Sequence, residues 1–475
     1  MHIGKVIRAV IALVFVTTVI CPQNAFPISI RKEDQLSREY METVLSYFEL
    51  IKDPLITDYV NGVGQRILSH MPPQPFTYRF YVIKEDTYNA FAGPGGVIFI
   101  HSGLFEIMET EDELAGILSH EISHVANRHI SERIERSKII GLVTLAGIAA
   151  AILAGVGGVS AAAEALTVGS VAAGQSLSLA YSREDEMEAD KTGYRYLIDA
   201  GYSGGSLLTI LKKMRDKQWY GPEQIPTYLM THPALEERMT YIGTRLNEKG
   251  DNAELSEKEK SDRFQWAHTK LLAMNGEKDT MYRRFENAVK ATPENALAHY
   301  GFGLILARTV HLNDSIKHLK IALAKEAFNP NILIDLGRIY YMNGQYEEAF
   351  KVLKSAMSIT PENPEGCLYL GRTQIALEKY EDAVMTLASL PEKNELYSEA
   401  YYYLGEAFGK QEKMAKSHVN LGIYYKINKD LRSAAFHLNR ALQSSDSPEE
   451  KREIQKMIEE IQQKIQQQRR QQNTG

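Results

Sequence analysis

The 475 residues divide into two unlike parts: an α+β domain, mostly helical with a small sheet, then an all-α solenoid of helical hairpins. Three observations predict this. Residues 27–245 mix strand-like and helix-like hydrophobic patterns. A charged, turn-rich stretch at 246–262 reads as a linker, after which only helical patterns continue. Within 263–445 glycines recur in steps of 34 residues, at Gly303, Gly337, Gly371 and Gly405, which is the signature of a repeat array. A chain of this length exceeds one hydrophobic core, so at least two domains are expected.

The formal net charge of -6 argues against a phosphate-binding surface, so no nucleic-acid partner is expected. At the N-terminus Lys5 and Arg8 precede an apolar run from Ala9 to Cys21, broken by Thr17 and Thr18, and small residues up to Ala25 follow. This order is that of a signal peptide over residues 1–25, so export is expected, and the run is short for a membrane span. Ile20 stands directly before Cys21, which weakens a lipid-modification reading. Cleavage near Ala25 leaves Cys367 as the one remaining thiol, expected to be a small apolar helix residue without a disulfide.

Residues 113–137 read as an amphipathic helix with Leu114, Ile117, Leu118, Ile122 and Val125 on its apolar side. Inside it lies His120-Glu121-Ile122-Ser123-His124. Four residues are slightly more than one helical turn, so both imidazoles project from one face and can hold one metal ion. Glu121 beside them can accept a proton from a water activated at the metal. A third histidine six residues after the second is missing, because Ile130 occupies that position and His129 is off register. A carboxylate from a later helix remains, and Ser182 to Asp190 supplies it: Glu186 as third ligand, with Asp190 four residues on as the hydrogen-bond acceptor that orients a ligand histidine. Glu184 and Glu188 are expected to be solvated. The cofactor implied is one Zn2+ per chain.

At this point a resemblance becomes specific. These motifs, with Asn89-Ala90-Phe91-Ala92, Gly95 to Ile100, Ser102-Gly103-Leu104 and Thr231 to Arg238, resemble the BepA, HtpX and CAAX-prenyl-protease group of zinc metallopeptidases over most of residues 70–240. The resemblance implies a zincin-type peptidase domain. It further implies that Gly96, Val97, Ile98 and Phe99 belong to an edge strand that pairs with an extended substrate, and that His232 and Arg238 assist a developing oxyanion. In BepA-like members the histidine corresponding to His232 can also occupy the metal's open position. His101 has no motif partner and is expected to be a strand residue.

Residues 139–173 are strongly apolar, with Glu164 their single charge. A single span there would put the two metal-binding helices on opposite sides of a bilayer, so a buried hairpin, a cleft cover or peripheral membrane contact is expected instead. In the second half the unit from Asn329 to Pro361 carries Leu336, Gly337, Tyr340, Gly344, Ala349, Leu353 and Ala356 at the spacings of a tetratricopeptide repeat. Register shifts by half a repeat near Leu421 and Gly422. Residues 446–475 read as a helical cap, with isoleucines at 454, 458, 461 and 465, that frays after Gln466. Peptidase motifs followed by tetratricopeptide repeats match BepA-like architecture. That implies a periplasmic protease acting on unfolded or misassembled outer-membrane proteins, its repeats contacting substrates or the outer-membrane assembly machinery. The rival reading is a chaperone or scaffold that works through its repeats.

Overall fold

A computed structural model describes residues 28–139, 181–218, 227–249, 257–390 and 397–472. The expected signal peptide and the apolar stretch from residue 140 onward lie outside the described residues. The chain divides into two compact units, residues 1–50 with 61–255 and residues 51–60 with 256–475. Each half of the expected linker runs into a helix, Leu235–Lys249 on one side and Glu257–Asn275 on the other; residues 250–256 between them are not described.

The first unit begins with α1 (Ile30–Tyr47), capped by Ser29 and burying Leu36, Tyr40 and Val44 one turn apart. Helix α2 (Pro54–Ser69) contains the division between the units. Strands β1 (Arg79–Ile83), β2 (Ala90–Ala92) and β3 (Val97–His101) form one sheet in the order β1-β3-β2. Strand β3 pairs in parallel with β1, Val97 opposite Arg79, and antiparallel with β2, Ala92 opposite Ile98. It is therefore the middle strand. The expected edge-strand role of Gly96 to Phe99 is corrected here: both sides of the Val97–His101 backbone are already hydrogen-bonded, and the whole strand is buried. The β-branched and aromatic content that suggested an edge instead serves the core, where Phe99 stacks against Tyr81 at 5.4 Å and Phe91 at 5.1 Å. His101, in the same strand, is buried with Nδ1 2.6 Å from the Thr87 hydroxyl, and burial pushes its pKa down to about 3.

The single helix expected over 113–137 is two. Helix α3 (Glu111–Ala126) opens with a capping box between Thr110 and Glu113 and is buried on nearly every side, so it is a central helix and not an amphipathic one. It stops where Arg128 takes a left-handed conformation, φ 67°, and α4 (His129–Ile139) starts afresh. Arg128 is held there by its hydrogen bond to the Ile28 carbonyl at 2.6 Å and its ion pair with Glu33 at 2.9 Å. Helix α5 (Arg183–Asp199) has a second capping box, Ser182 with Asp185. It crosses α3 closely because Gly193 has no side chain: a Cβ there would sit 3.0 Å from the Ser119 carbonyl. Helices α6 (Gly205–Gln218), α7 (Thr227–Thr231) and α8 (Leu235–Lys249) complete the described part of the unit.

The second unit is helical throughout its described residues: α9 (Glu257–Asn275), α10 (Lys278–Ala291), α11 (Ala296–Arg308), α12 (Leu312–Lys325), α13 (Pro330–Met342), α14 (Tyr346–Ile359), α15 (Pro364–Ala376), α16 (Tyr380–Ala388), α17 (Glu399–Lys410), α18 (Met414–Ile427), α19 (Leu431–Ser444) and α20 (Pro448–Gln472). The 34-residue period governs it. Asn295, Asn329 and Asn363 cap successive first helices, and Val310, Gly344, Glu378 and Glu412 are left-handed at successive hairpin turns. Each repeat glycine accepts a leucine sixteen residues later: a Cβ on Gly337 would lie 2.4 Å from Leu353, on Gly371 2.4 Å from Leu387, and on Gly405 2.7 Å from Leu421. Cys367 is buried in α15, its thiol 3.7 Å from the Pro361 carbonyl. Helix α20 buries Ile454, Ile458 and Ile461 against Leu431, Leu438 and Ala441, and it continues to Gln472, past the expected fraying point.

Candidate metal centre

Helix α3 presents His120 and His124, α5 presents Glu186, and the turn after α7 presents His232; one ligand atom from each lies within 4.8 Å of all the others. All four side chains are fully buried. His120 Nε2 is 3.0 Å from His124 Nε2 and 3.3 Å from His232 Nδ1, and His232 Nδ1 is 3.0 Å from Glu186 Oε1. Three imidazole nitrogens and a carboxylate oxygen facing one point form the donor set of a zinc-type site, and the residues fit a divalent ion. Glu121 adds to the fit: it is fully buried, neither of its oxygens accepts a hydrogen bond, and burial raises its pKa. A buried carboxylate in that state requires a water or another polar partner.

Asp190 Oδ1 is 2.8 Å from His120 Nδ1. Burial and Arg238 press the His120 pKa down, but bonding to Asp190 and Glu186 outweighs them and lifts it to about 9 in the metal-free chain. Arg238 does not face an open cleft. It is fully buried, with Nε and Nη2 at 2.8 and 2.9 Å from the two Asp190 oxygens and Nη1 2.8 Å from Glu186 Oε2. That geometry suits a cation that holds the two carboxylates in place better than one that meets a substrate oxyanion. Burial opposes ionisation of both carboxylates. For Glu186 the attraction of His232 and Arg238 prevails, and for Asp190 that of Arg238 and His120, so both remain below the usual carboxylate range. His232 Nε2 is 3.6 Å from Glu121 Oε1, so this residue touches the general-base candidate as well as the donor set. Gly96 to Phe99 are not part of the cluster.

Several neighbours escaped the sequence reading. Tyr181 stacks on His124 at 3.7 Å and Tyr228 on His232 at 4.2 Å. His129 Nδ1 is 3.0 Å from His124 Nδ1, and its other nitrogen is 3.4 Å from Glu188. Motif spacing assumes an unbroken helix, so the turn at Arg128 hid His129. Tyr181 and Tyr228 belong to no motif.

Residues 56–246 match the family model described as Peptidase family M48, and residues 311–364 and 340–407 match tetratricopeptide-repeat models. The chain is 30% identical over 319 residues to the beta-barrel assembly-enhancing protease of Escherichia coli (strain K12), a match covering 66% of this chain and 64% of that one. It is 31% identical over 196 residues to the metalloprotease LoiP of the same organism, covering 41% of this chain and 71% of that one. It is 27% identical over 201 residues to the mitochondrial metalloendopeptidase OMA1 of Schizosaccharomyces pombe, covering 42% and 56%. The chain thus spans just under two thirds of the length of the first of these relatives. Fold and donor set together define the class: an H-E-x-x-H metallopeptidase-type domain joined to tetratricopeptide repeats. The chain belongs to peptidase family M48, and that membership implies a metal, for which the His-His-Glu-His cluster is the candidate site.

Proposed function

We propose that this protein is a zinc-dependent endopeptidase, with His120, His124 and Glu186 as metal ligands and Glu121 as general base. The observation that carries the reading is the buried Glu121 carboxylate, without a hydrogen bond, beside four converging donor atoms. Zinc, when bound, supplies Lewis-acid polarisation of the scissile carbonyl and lowers the pKa of a water. Glu121 takes the proton of the attacking water and delivers it to the departing amine. Asp190 fixes the His120 tautomer, and Arg238 keeps Asp190 and Glu186 ionised and in place.

His232 completes a fourfold donor set, and a closed set of four is the mark of a resting or purely structural site. The proposal is that His232 withdraws when substrate arrives. The leader-like N-terminus and the name of the E. coli relative support export to the periplasm and action on misassembled outer-membrane proteins. The repeats would dock substrates or the assembly machinery, and peripheral membrane contact through residues 139–173 belongs to the same proposal.

Casein hydrolysis with and without chelator tests the enzyme. Glu121→Gln should keep one zinc per chain and lose about a hundredfold or more in rate. His232→Ala should retain zinc and match or exceed the parent rate. Undiminished cleavage by Glu121→Gln would refute the assignment. Zinc without proteolysis in both the parent and His232→Ala would leave the scaffold reading.

A further inference from the structure

Both histidines of the H-E-x-x-H element need a partner for the ring nitrogen that does not face the metal. His120 has Asp190 at 2.8 Å. For His124, the nitrogen facing the donor set is Nε2, 3.0 Å from His120 Nε2 and 3.3 Å from Glu186 Oε1. Among the described residues its Nδ1 has His129 Nδ1 as its hydrogen-bond partner, at 3.0 Å, with the rings at 69° and their centroids 5.1 Å apart. An uninterrupted α3 would put position 129 about 140° around the helix from His124, because each residue turns the helix by about 100°. The left-handed Arg128 folds His129 back, and its side chain is 3% exposed.

One assignment of protons satisfies the whole chain. If His124 Nε2 keeps its lone pair for a metal, Nδ1 carries the hydrogen and donates it to the lone pair of His129 Nδ1. His129 then carries its own hydrogen on Nε2, which faces the Glu188 carboxylate at 3.4 Å. Glu188 is 63% exposed at its side chain and lies on the same helix as buried Glu186, so α5 supplies a carboxylate to His129 as well as one to the donor set. Reversing the assignment would put hydrogen on His124 Nε2 and remove it as a ligand.

We propose that His129 and Glu188 are positioning residues for the metal centre, a carboxylate–imidazole relay that fixes the tautomer and ring orientation of His124 as Asp190 does for His120. The inference rests on the reading of His120, His124 and Glu186 as ligands. Outer partners of ligand histidines are worth roughly 10- to 100-fold in metal affinity.

The test uses the full chain carrying Glu121→Gln, which prevents self-cleavage, and measures zinc affinity by competition with a chromophoric chelator alongside the thermal melt of each metal-free form. The parent should bind one zinc; failure to do so would overturn the ligand reading and this relay with it. On that background His129→Phe should weaken binding roughly 10-fold or more, while His129→Asn, whose amide oxygen can accept from His124, should stay within roughly threefold. Glu188→Ala, at a position whose side chain is 63% exposed, should weaken binding roughly threefold or more. A role confined to folding would lower the metal-free melting temperature while leaving zinc affinity in place. If the parent binds zinc and both His129→Phe and Glu188→Ala bind it as tightly, the relay is wrong.

Discussion

At the scale of single residues the centre is an arrangement of buried charges in which Arg238 is paired with two carboxylates while Glu121 accepts no hydrogen bond. Arg238, Asp190 and Glu186 have no exposed side-chain surface, and the guanidinium bridges the two carboxylates at 2.8 to 2.9 Å. Such a group is costly to bury and more costly to break. Asp190→Ala should destabilise the metal-free chain by about 3 kcal/mol or more, because Arg238 is left in the core with one of its two counter-ions. Urea denaturation checks this, and Asp190→Asn, which keeps an acceptor for Arg238, should fall between the two. Equal stability of all three would mean that Arg238 contributes shape and not charge.

Elements matter through how closely their backbones approach. Gly193 lets α5 lie against α3, and without that crossing Glu186 would not reach His120 and His124. In the repeat unit the same device recurs from Gly303 with Leu319 to Gly422 with Leu438, one leucine filling the space over one glycine. Gly371→Ala should cost about 1–3 kcal/mol, since its methyl would meet Leu387 at 2.4 Å, and adding Leu387→Ala should recover part of that loss in a double-mutant cycle. Additive losses would show that the two do not interlock. The half-repeat shift near Leu421 has its reason here. Helix α18 supplies Leu421 to Gly405 and, from the next residue, offers Gly422 to Leu438, whose contact distance is again 2.7 Å. One helix acts as second member of one hairpin and first member of the next, so the period advances by 17 and the left-handed turn residue reappears at Lys429 after Glu412.

For the molecule as a whole, the two units should answer to different solution variables. Zinc at the proposed site would bear on one of them: at a hundred times its Kd the ion should add about 2.7 kcal/mol to the unfolding of the unit that holds His120 and leave the repeat transition where it was. A joint shift in calorimetry would contradict that separation. The repeat unit instead contains a largely buried cluster, with Asp53 and Glu365 at its partly exposed rim, in which Lys270 contacts Asp53 at 2.5 Å, Asp335 at 3.0 Å and Glu365 at 3.4 Å, and Arg338 contacts Asp335 at 2.9 Å. Two cations face three carboxylates, and Glu365 is the most loosely held. Burial, reinforced by Asp53 and Asp335 and only partly opposed by Lys270 and Arg338, pushes it from 4.5 up to about 8. A carboxyl whose pKa is raised on folding contributes stability that is complete below 4.5 and is lost as pH rises through about 8. Repeat-unit stability should therefore decline between those values, and Glu365→Gln should flatten the slope. Trp266, 5.1 Å from Tyr300 beside the cluster, reports the transition in a Trp219→Phe background.

The sequence by itself determined the H-E-x-x-H pair, the distant Glu186 with Asp190 one turn later, the 34-residue array and its half-step, because each follows from helical periodicity and a helix repeats its geometry without help from the rest of the chain. Only the tertiary structure decided what lies across from each element. Strand β3 became central because β1 and β2 occupy both of its sides, which no property of Val97–His101 announces. His129 joined His124 because one left-handed residue broke a helix that composition predicts to be continuous. Arg238 turned toward Asp190 and Glu186 because in a buried site the nearest carboxylates outcompete any partner outside it.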